Sequence, residues 1–252
     1  VKKTLVASVC ALEGCSHQQQ NYLEGLKPIL LSQVLVSGMM DNEKMMFAPI
    51  PNLIFTRDIG IIINKHILLN KPAKKARSRE TLLARYIFFN HPIFRSYQDN
   101  IIEISYNEHN FLLPDDEQQE KNTLEGGDVM VVSPNHVLIG HSERTSLGGI
   151  NEAIKALFEH KVVEKVSVVR IPHKRDFMHI DTVFTQVKRN MWVILDTVGR
   201  PFSKAQAEPM DMLAKDMSRE TISVMQFRRD ELTKPVEFAS IEDLLTDISR
   251  ND

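Results

Sequence analysis

An α/β fold is predicted by three features of the sequence. A charge, strand, turn and second strand recur three times; a helical or mixed stretch follows each recurrence; and a further apolar strand closes each unit. The middle copy, Thr123 to Ser146 (TLEGGDVMVVSPNHVLIGHSERTS), is the clearest. There Glu125, two glycines and Asp128 lead into an apolar strand that turns at Ser133-Pro134-Asn135. A second strand returns, and Glu143-Arg144-Thr145-Ser146 precedes a helical pattern. Gly126 and Gly127 admit positive φ and the close approach of another group, which would hold Glu125 at a turn facing a pocket. They read equally as a glycine bulge beside a solvated acid. The upstream copy is NLIFTRD (Asn52 to Asp58), IGIII, a turn at Asn64-Lys65, then HILLN. The downstream copy is MHIDTVFTQV (Met178 to Val187), a turn at Lys188-Arg189-Asn190, then MWVILD. Three such units in succession predict radial repetition.

The elements follow in order. From Lys2 to Ser37, apolar residues recur at helical spacing (Leu5, Val9, Leu12; then Leu23, Leu26, Ile29, Leu30, Val34), predicting two helices broken at Gly14-Cys15-Ser16. Asp41 to Pro51 reads as a linker in which Met45, Met46 and Phe47 pack. Module one comprises a hairpin from Phe55 to Asn70, a helix from Arg79 to Phe89 and a strand from Ile101 to Ser105. A polar loop from Pro114 to Asn122 is expected to be exposed. Module two adds a helix from Leu147 to His160 and a strand from Val166 to Ile171. Module three has a hairpin from Thr182 to Asp196, a helix near Ala205 to Lys215 and a strand from Ser223 to Phe227. A last helix spans Ser240 to Ser249, with Ser240 as N-cap and Glu242-Asp243 in the first turn.

Composition narrows the function. The 252 residues are 42% hydrophobic, sufficient for a substantial core, and the net charge of -2 gives no global pull toward nucleic acid or an anionic membrane. The local basic run KPAKKARSR, Lys71 to Arg79, reads for its lysines as a solvated loop. No apolar run approaches the roughly 18 residues of a membrane span. The start, VKKTLVASVCALEGC, mimics a secretory signal, but Glu13 and the short apolar run favour an amphipathic helix. Two cysteines, Cys10 and Cys15, form neither a disulfide framework nor a zinc site on their own, so a reducing, cytoplasmic location is expected.

Each hairpin is preceded by an aspartate (Asp58, Asp128, Asp181), with Glu125 and His179 beside two of them, which predicts a shared polar centre. Singly, such aspartates are also turn formers, and His179 reads equally as a satisfied histidine at a strand edge. His179 and Asp181, two apart, would share one face of an extended segment, whereas Arg57 would point away from Asp58 and be structural. His173 has no motif around it, and a metal site with His179 is not expected.

NLIFTRD, LEGGDVMVV with IGHSERTS, and MHIDTVFTQV resemble the three internal motifs of bacterial arginine deiminases, in order and at the family's spacing, over Pro51 to Val187. The resemblance implies a partial pseudo-fivefold α/β propeller of the guanidino-group-modifying superfamily, with about three of five modules in residues 46–252. Residues 1–45 would be the end of the helical insertion preceding them. The implied reaction is hydrolysis of L-arginine to L-citrulline and ammonia, with no cofactor and no metal. A planar cation with five N–H donors needs carboxylates around its edge. By the resemblance, Asp58 and Asp181 clamp the guanidinium, Glu125 binds it beside His179, and His179 moves protons. Arg77 and Arg144, each 19 residues after an acid of the set (Asp58, Glu125), would grip the α-carboxylate, with Asn52 at the amino-acid end. That pair favours free arginine over agmatine.

The family's nucleophile is a cysteine in its last module, and no cysteine follows Cys15 here. Cys10 and Cys15 match no catalytic motif, so this chain is expected to be an inactive piece of the enzyme. Ile54 and Ile59 stand where the family has an aromatic and a proline, a change in packing alone. Agmatine deiminase, dimethylarginine hydrolase and amidinotransferase are the near alternatives; a non-catalytic arginine-binding protein is the distant one. Apolar faces that two further modules would cover predict self-association into a homo-oligomer.

Overall fold

The computed structural model describes residues 1–41, 43–104, 122–172, 175–195, 224–232 and 234–251. Its first helix, α1 (Lys2–Glu13), stops at Gly14, whose φ of 69° only glycine adopts without strain. Ser16 then opens α2 (His17–Gly25) with a capping box, accepting from Gln19 N–H while the Gln19 side chain accepts from Ser16 N–H. The stretch that reads as one further helix is two. Pro28 holds Lys27 extended, ends the run at Leu26 and starts α3 (Pro28–Ser37). Val6, Val9, Cys10, Leu23, Leu31, Val34, Leu35 and Phe47 form the core of this segment, with Met46 half-buried against it. Met45, expected to pack, is exposed, as are Leu12, Ile29 and Leu30.

Modules one and two share one plan. In the first, β1 (Ile61–Ile63) and β2 (His66–Leu68) pair antiparallel, α4 (Ser78–Asn90) crosses over, and β3 (Ile101–Ile102) joins parallel to β2. In the second, β4 (Val129–Ser133) and β5 (His136–His141) pair, Ser146 caps α5 (Leu147–Glu159), and β6 (Lys165–Arg170) joins parallel to β5. One apolar core runs through both, from Ile61, Ile63 and Leu68 to Val129, Ile139, Ile150 and Leu157. Asn64, at φ 54°, fastens them: its Nδ2 donates to the carbonyls of Pro134 (2.7 Å) and Val162 (3.0 Å). The basic run between β2 and α4 is solvated at Lys74 and Lys75, whereas Lys71, Arg77 and Arg79 are buried. Burial pushes the Lys71 ammonium down to about 8, against the pull of Glu152 and Glu103.

Module three departs from the plan. Its hairpin, β7 (Phe184–Lys188) and β8 (Met191–Ile194), is a separate two-stranded sheet. The strand expected to close it, β9 (Val224–Arg228), pairs antiparallel with β6 instead, and β10 (Val236–Phe238) follows, giving the order β10-β9-β6-β5-β4. The register explains the choice, because it sets buried Val224 opposite Val169 and buried Gln226 opposite Ser167. The last helix, α6 (Ile241–Asn251), is capped by Ser240, whose Oγ accepts from Asp243 N–H at 3.1 Å. Ile241, Leu244, Leu245 and Ile248 bury against Ile180, Val183, Phe184, Val169 and Val224, holding the third hairpin to the second module. The polar loop from Pro114 to Lys121 and the helix read near Ala205 to Lys215 lie outside the described residues. The result is a mixed α/β fold, and no helix among the described residues is long and apolar enough to cross a membrane.

Candidate active site

Three short 3₁₀ turns, Thr56–Asp58, Gly126–Asp128 and Ile180–Thr182, stand at the mouths of the three hairpins, and each carries one of the repeated aspartates. They interlock in chain order. Asp58 Oδ1 accepts from Gly127 N–H (3.2 Å), and Asp128 Oδ1 accepts from Ile180 N–H (2.9 Å). Because Thr56–Asp58 is a turn and not an extended strand, Arg57 does not face away from the site. Its Nη2 donates to Asp181 Oδ2, so the sequence-based assignment of Arg57 to an opposite face is corrected.

The double glycine serves close packing. Neither Gly126 nor Gly127 has positive φ. A Cβ on Gly126 would lie 2.3 Å from Arg57 O, and one on Gly127 would lie 2.6 Å from His179 Cγ. The first glycine admits the backbone of the Arg57 turn and the second admits the His179 ring.

Glu125, only 1% exposed, is held by both oxygens. Oε1 accepts from Ala73 N–H (3.0 Å); Oε2 lies 3.5 Å from Arg77 Nη1 and 3.5 Å from His179 Nε2. Burial raises its pKa, and the Ala73 hydrogen bond and the charges of Arg77, His179 and Arg144 oppose that only in part. His179 Nδ1 sits 3.2 Å from Asp128 Oδ2. Burial alone would lower the ring's pKa; the Asp128 hydrogen bond and the charges of Asp128, Glu125 and Asp58 outweigh it and raise it. Asp181 is raised by burial against the opposing charges of Arg57 and His179.

Arg77, 4% exposed, is turned into the protein, with Nη1 on Asp58 Oδ2 (2.8 Å) and Nη2 on Glu80 Oε1 (2.6 Å). Arg144 is mostly buried; its N–H donates to Ser142 Oγ (3.0 Å) and its Nε lies 3.9 Å from Glu143. That Nε is buried without a hydrogen-bond acceptor among the described residues. Asn52 is half-buried; its carbonyl accepts from Phe55 N–H, and no hydrogen bond or ion pair among the described residues joins it to the network.

Sequence reasoning placed Asp128 in the repeat without giving it a role, and passed over Ser142 and Thr145. Asp128 is fully buried and accepts from Ser142 Oγ (2.6 Å) and Thr145 Oγ1 (2.7 Å) as well as meeting His179. The signal available was its equivalence to Asp58 and Asp181 in the threefold pattern. Cys10 lies in the core of the helical segment, where burial, backed by a hydrogen bond with Cys15 and the charges of Cys15 and Glu24, pushes its thiol up to about 12. No cluster of three or more metal-ligating side chains occurs among the described residues; His173 lies outside them. What the turns assemble is a histidine with a raised pKa inside a ring of carboxylates, two arginines deep, able to exchange a proton and to hold a planar cation.

The sequence model of arginine deiminase matches residues 20–228. The chain belongs to the arginine deiminase family. The arginine deiminase of Borrelia recurrentis (strain A1) is 41% identical over 140 residues, 55% of this chain and 31% of that protein. That of Borrelia garinii subsp. bavariensis is 34% identical over 189 residues, 75% of this chain and 41% of that protein. The chain therefore spans less than half the length of these family members. Among solved structures, a cysteine-to-serine variant of DDAH from Pseudomonas aeruginosa complexed with citrulline aligns with a TM-score of 0.45 at 22% identity, covering 60% of this chain and 50% of that one. A dimethylarginine dimethylaminohydrolase adduct with 4-chloro-2-hydroxymethylpyridine aligns with a TM-score of 0.44 at 21% identity, covering 73% and 62%.

Proposed function

We propose that this chain carries the guanidinium-handling part of an arginine deiminase, the enzyme that hydrolyses L-arginine to L-citrulline and ammonia. The carrying observation is that Asp58, Glu125, His179 and Asp181, from three modules and as much as 123 positions apart in sequence, meet in one network. In this reading Asp58 and Asp181 hold the guanidinium edge, releasing Arg77 and Arg57 as it enters. Glu125 faces its centre beside His179, and His179 carries the proton to departing ammonia and takes one from water. Arg144, with a buried donor that lacks an acceptor, receives the α-carboxylate together with Arg77, and Asn52 lies at the amino-acid end. Residues 46–252 are read as three modules of a five-module propeller and residues 1–45 as the end of a helical insertion. The enzyme works in the cytoplasm.

Family membership and the carboxylate ring support an amidine hydrolase. Within these 252 residues, however, the reaction lacks its nucleophile: both cysteines belong to the helical segment, and the Cys10 thiol is far from ionised at neutral pH. The same observation favours a second reading, a non-catalytic arginine-binding homologue. Calorimetric titration with L-arginine and agmatine, followed by a citrulline assay, tests both. We expect L-arginine to bind more tightly than agmatine and no citrulline above background. Equal affinity for the two ligands contradicts the arginine reading, and citrulline production that survives replacement of both cysteines by serine contradicts the need for a thiol. Exposed Ile62, Val131, Val187, Met191 and Val193 support self-association, and a strictly monomeric profile in light scattering argues against it.

A further inference from the structure

Asp128 is the most enclosed carboxylate of the network, and every contact it makes has a direction. Oδ1 is fixed by the backbone N–H of Ile180. Oδ2 meets the Ser142 hydroxyl, the Thr145 hydroxyl and His179 Nδ1. Both hydroxyls donate to it, and that of Ser142 cannot reverse its sense, because both its lone pairs are taken. Ser142 Oγ already accepts from the N–H groups of Arg144 (3.0 Å) and Thr145 (3.2 Å), and Thr145 Oγ1 accepts from Glu125 N–H (3.1 Å). Their protons are left for Asp128, which must therefore present acceptor oxygen, and an acceptor opposite His179 Nδ1 calls for a proton on that nitrogen.

We propose that Asp128 is a positioning residue for His179: by accepting the Nδ1 proton it fixes the tautomer and leaves Nε2 as the nitrogen that exchanges protons beside Glu125. This rests on the reading of His179 as the proton carrier given above. The space is prepared for it. Gly127 leaves room for the His179 ring, and a Cβ on Gly140 would meet Asp128 Oδ1 at 2.7 Å and Ile180 Cβ at 2.9 Å, so β5 passes the pair only as glycine. Glu125 Oε2 lies 3.5 Å from Nε2, ready to accept its proton when the ring is charged. The other charges around the ring come from Asp58 and Arg57 on the first turn, Arg77 beyond it, Arg144 after β5 and Asp181 on its own turn. Of these groups Asp128 alone hydrogen-bonds Nδ1.

The test is nitrogen NMR of the histidine side chains in the ¹⁵N-labelled 252-residue chain, titrated through neutral pH. His179 is assigned by comparison with His179→Gln. On the basic side of its midpoint the ring is expected with Nδ1 protonated and Nε2 bare. In Asp128→Ala the neutral ring should change to Nε2–H, drawn by Glu125, and the midpoint should fall by about one unit or more. In Ser142→Ala the tautomer should persist while the midpoint rises, because Asp128 loses a competing donor. An Nε2–H ring in the unmodified chain overturns the proposal, as does a midpoint in Asp128→Ala that does not move. Where Asp128→Ala does not fold, the unmodified chain and Ser142→Ala decide. Arginine binding, measured separately, keeps the two ideas apart. An Nδ1–H ring in a chain that binds no arginine overturns the reading of the site, whereas an Nε2–H ring in a chain that binds arginine overturns the positioning role alone.

Discussion

Asp128 and Asp181 stand at equivalent places in the threefold repeat, each on a 3₁₀ turn at the mouth of a hairpin, yet their surroundings differ completely. Asp128 is sealed, with donors from Ser142, Thr145, Ile180 and His179. Asp181 keeps 27% of its side chain exposed and faces Arg57, itself half exposed. Repeat position thus determines where a carboxylate is delivered, and the residues beyond the hairpin determine what it does there. The Ser-Glu-Arg-Thr segment after β5 is what converts one copy into a fixed internal acceptor. The other copy has a half-exposed cation as its partner and lacks such a set of fixed donors, which is why the proposed function assigns it to the guanidinium.

The widest gap between the two should appear in stability. Asp128→Ala strips acceptors from two buried hydroxyls and a backbone N–H and is expected to cost about 3–5 kcal/mol in urea unfolding. Asp181→Ala breaks a partly solvated pair and should cost about 0–1 kcal/mol, while removing arginine binding. Comparable losses from both would erase the distinction drawn here. Next in size is Gly127→Ala, whose Cβ would press into the His179 ring; about 1–3 kcal/mol of destabilisation is expected, together with displacement of His179 from Asp128. Gly25→Ala, at the end of α2 with nothing within 4 Å, is the matched control and should be neutral or slightly stabilising.

A smaller effect lies in pH. His179 is raised in the folded protein, so its charged ring contributes stability that is complete below the unfolded value of about 6.5 and disappears as pH rises through the higher folded value. Glu125 and Asp181 are raised as well and also favour the folded state at lower pH, so the His179 share is isolated by difference. The stability gap between the unmodified chain and His179→Gln should shrink as pH climbs across that window. A gap constant from pH 6 to 9 would contradict the raised value.

Much of this arrangement was legible in the sequence because it rests on local signals. Ser16, Ser146 and Ser240 announce helix starts, and alternating apolar residues around Asn64-Lys65 and Ser133-Pro134-Asn135 announce hairpins. The acids and His179 stood out because charged residues recur just ahead of the apolar hairpins, and the roles expected of them came from the resemblance of the three motifs. Three matters were decided by long-range packing and were not legible. Arg57 reaches Asp181 because its segment is a turn, a conformation that three polar residues do not reveal. Strand β9 adds to β6 because Gln226 finds Ser167 there, 59 residues away. Asp128 gains its role from Ser142 and Thr145, whose hydroxyls look like ordinary loop polarity until β5 brings them back over β4.

The chain order of the interlocking turns also has a temporal side. Asp58 meets Arg77 across 19 residues, but its second partner, the N–H of Gly127, lies 69 residues away, and Asp128 must wait a further 52 for Ile180. At ribosomal rates of about 5–20 residues per second, the lag between the emergence of Arg77 and that of Gly127 is roughly 3–10 s. The first two hairpin mouths thus each rely on a backbone N–H synthesised after them, that of Gly127 and that of Ile180, whereas the third presents Asp181 to Arg57, which is made first.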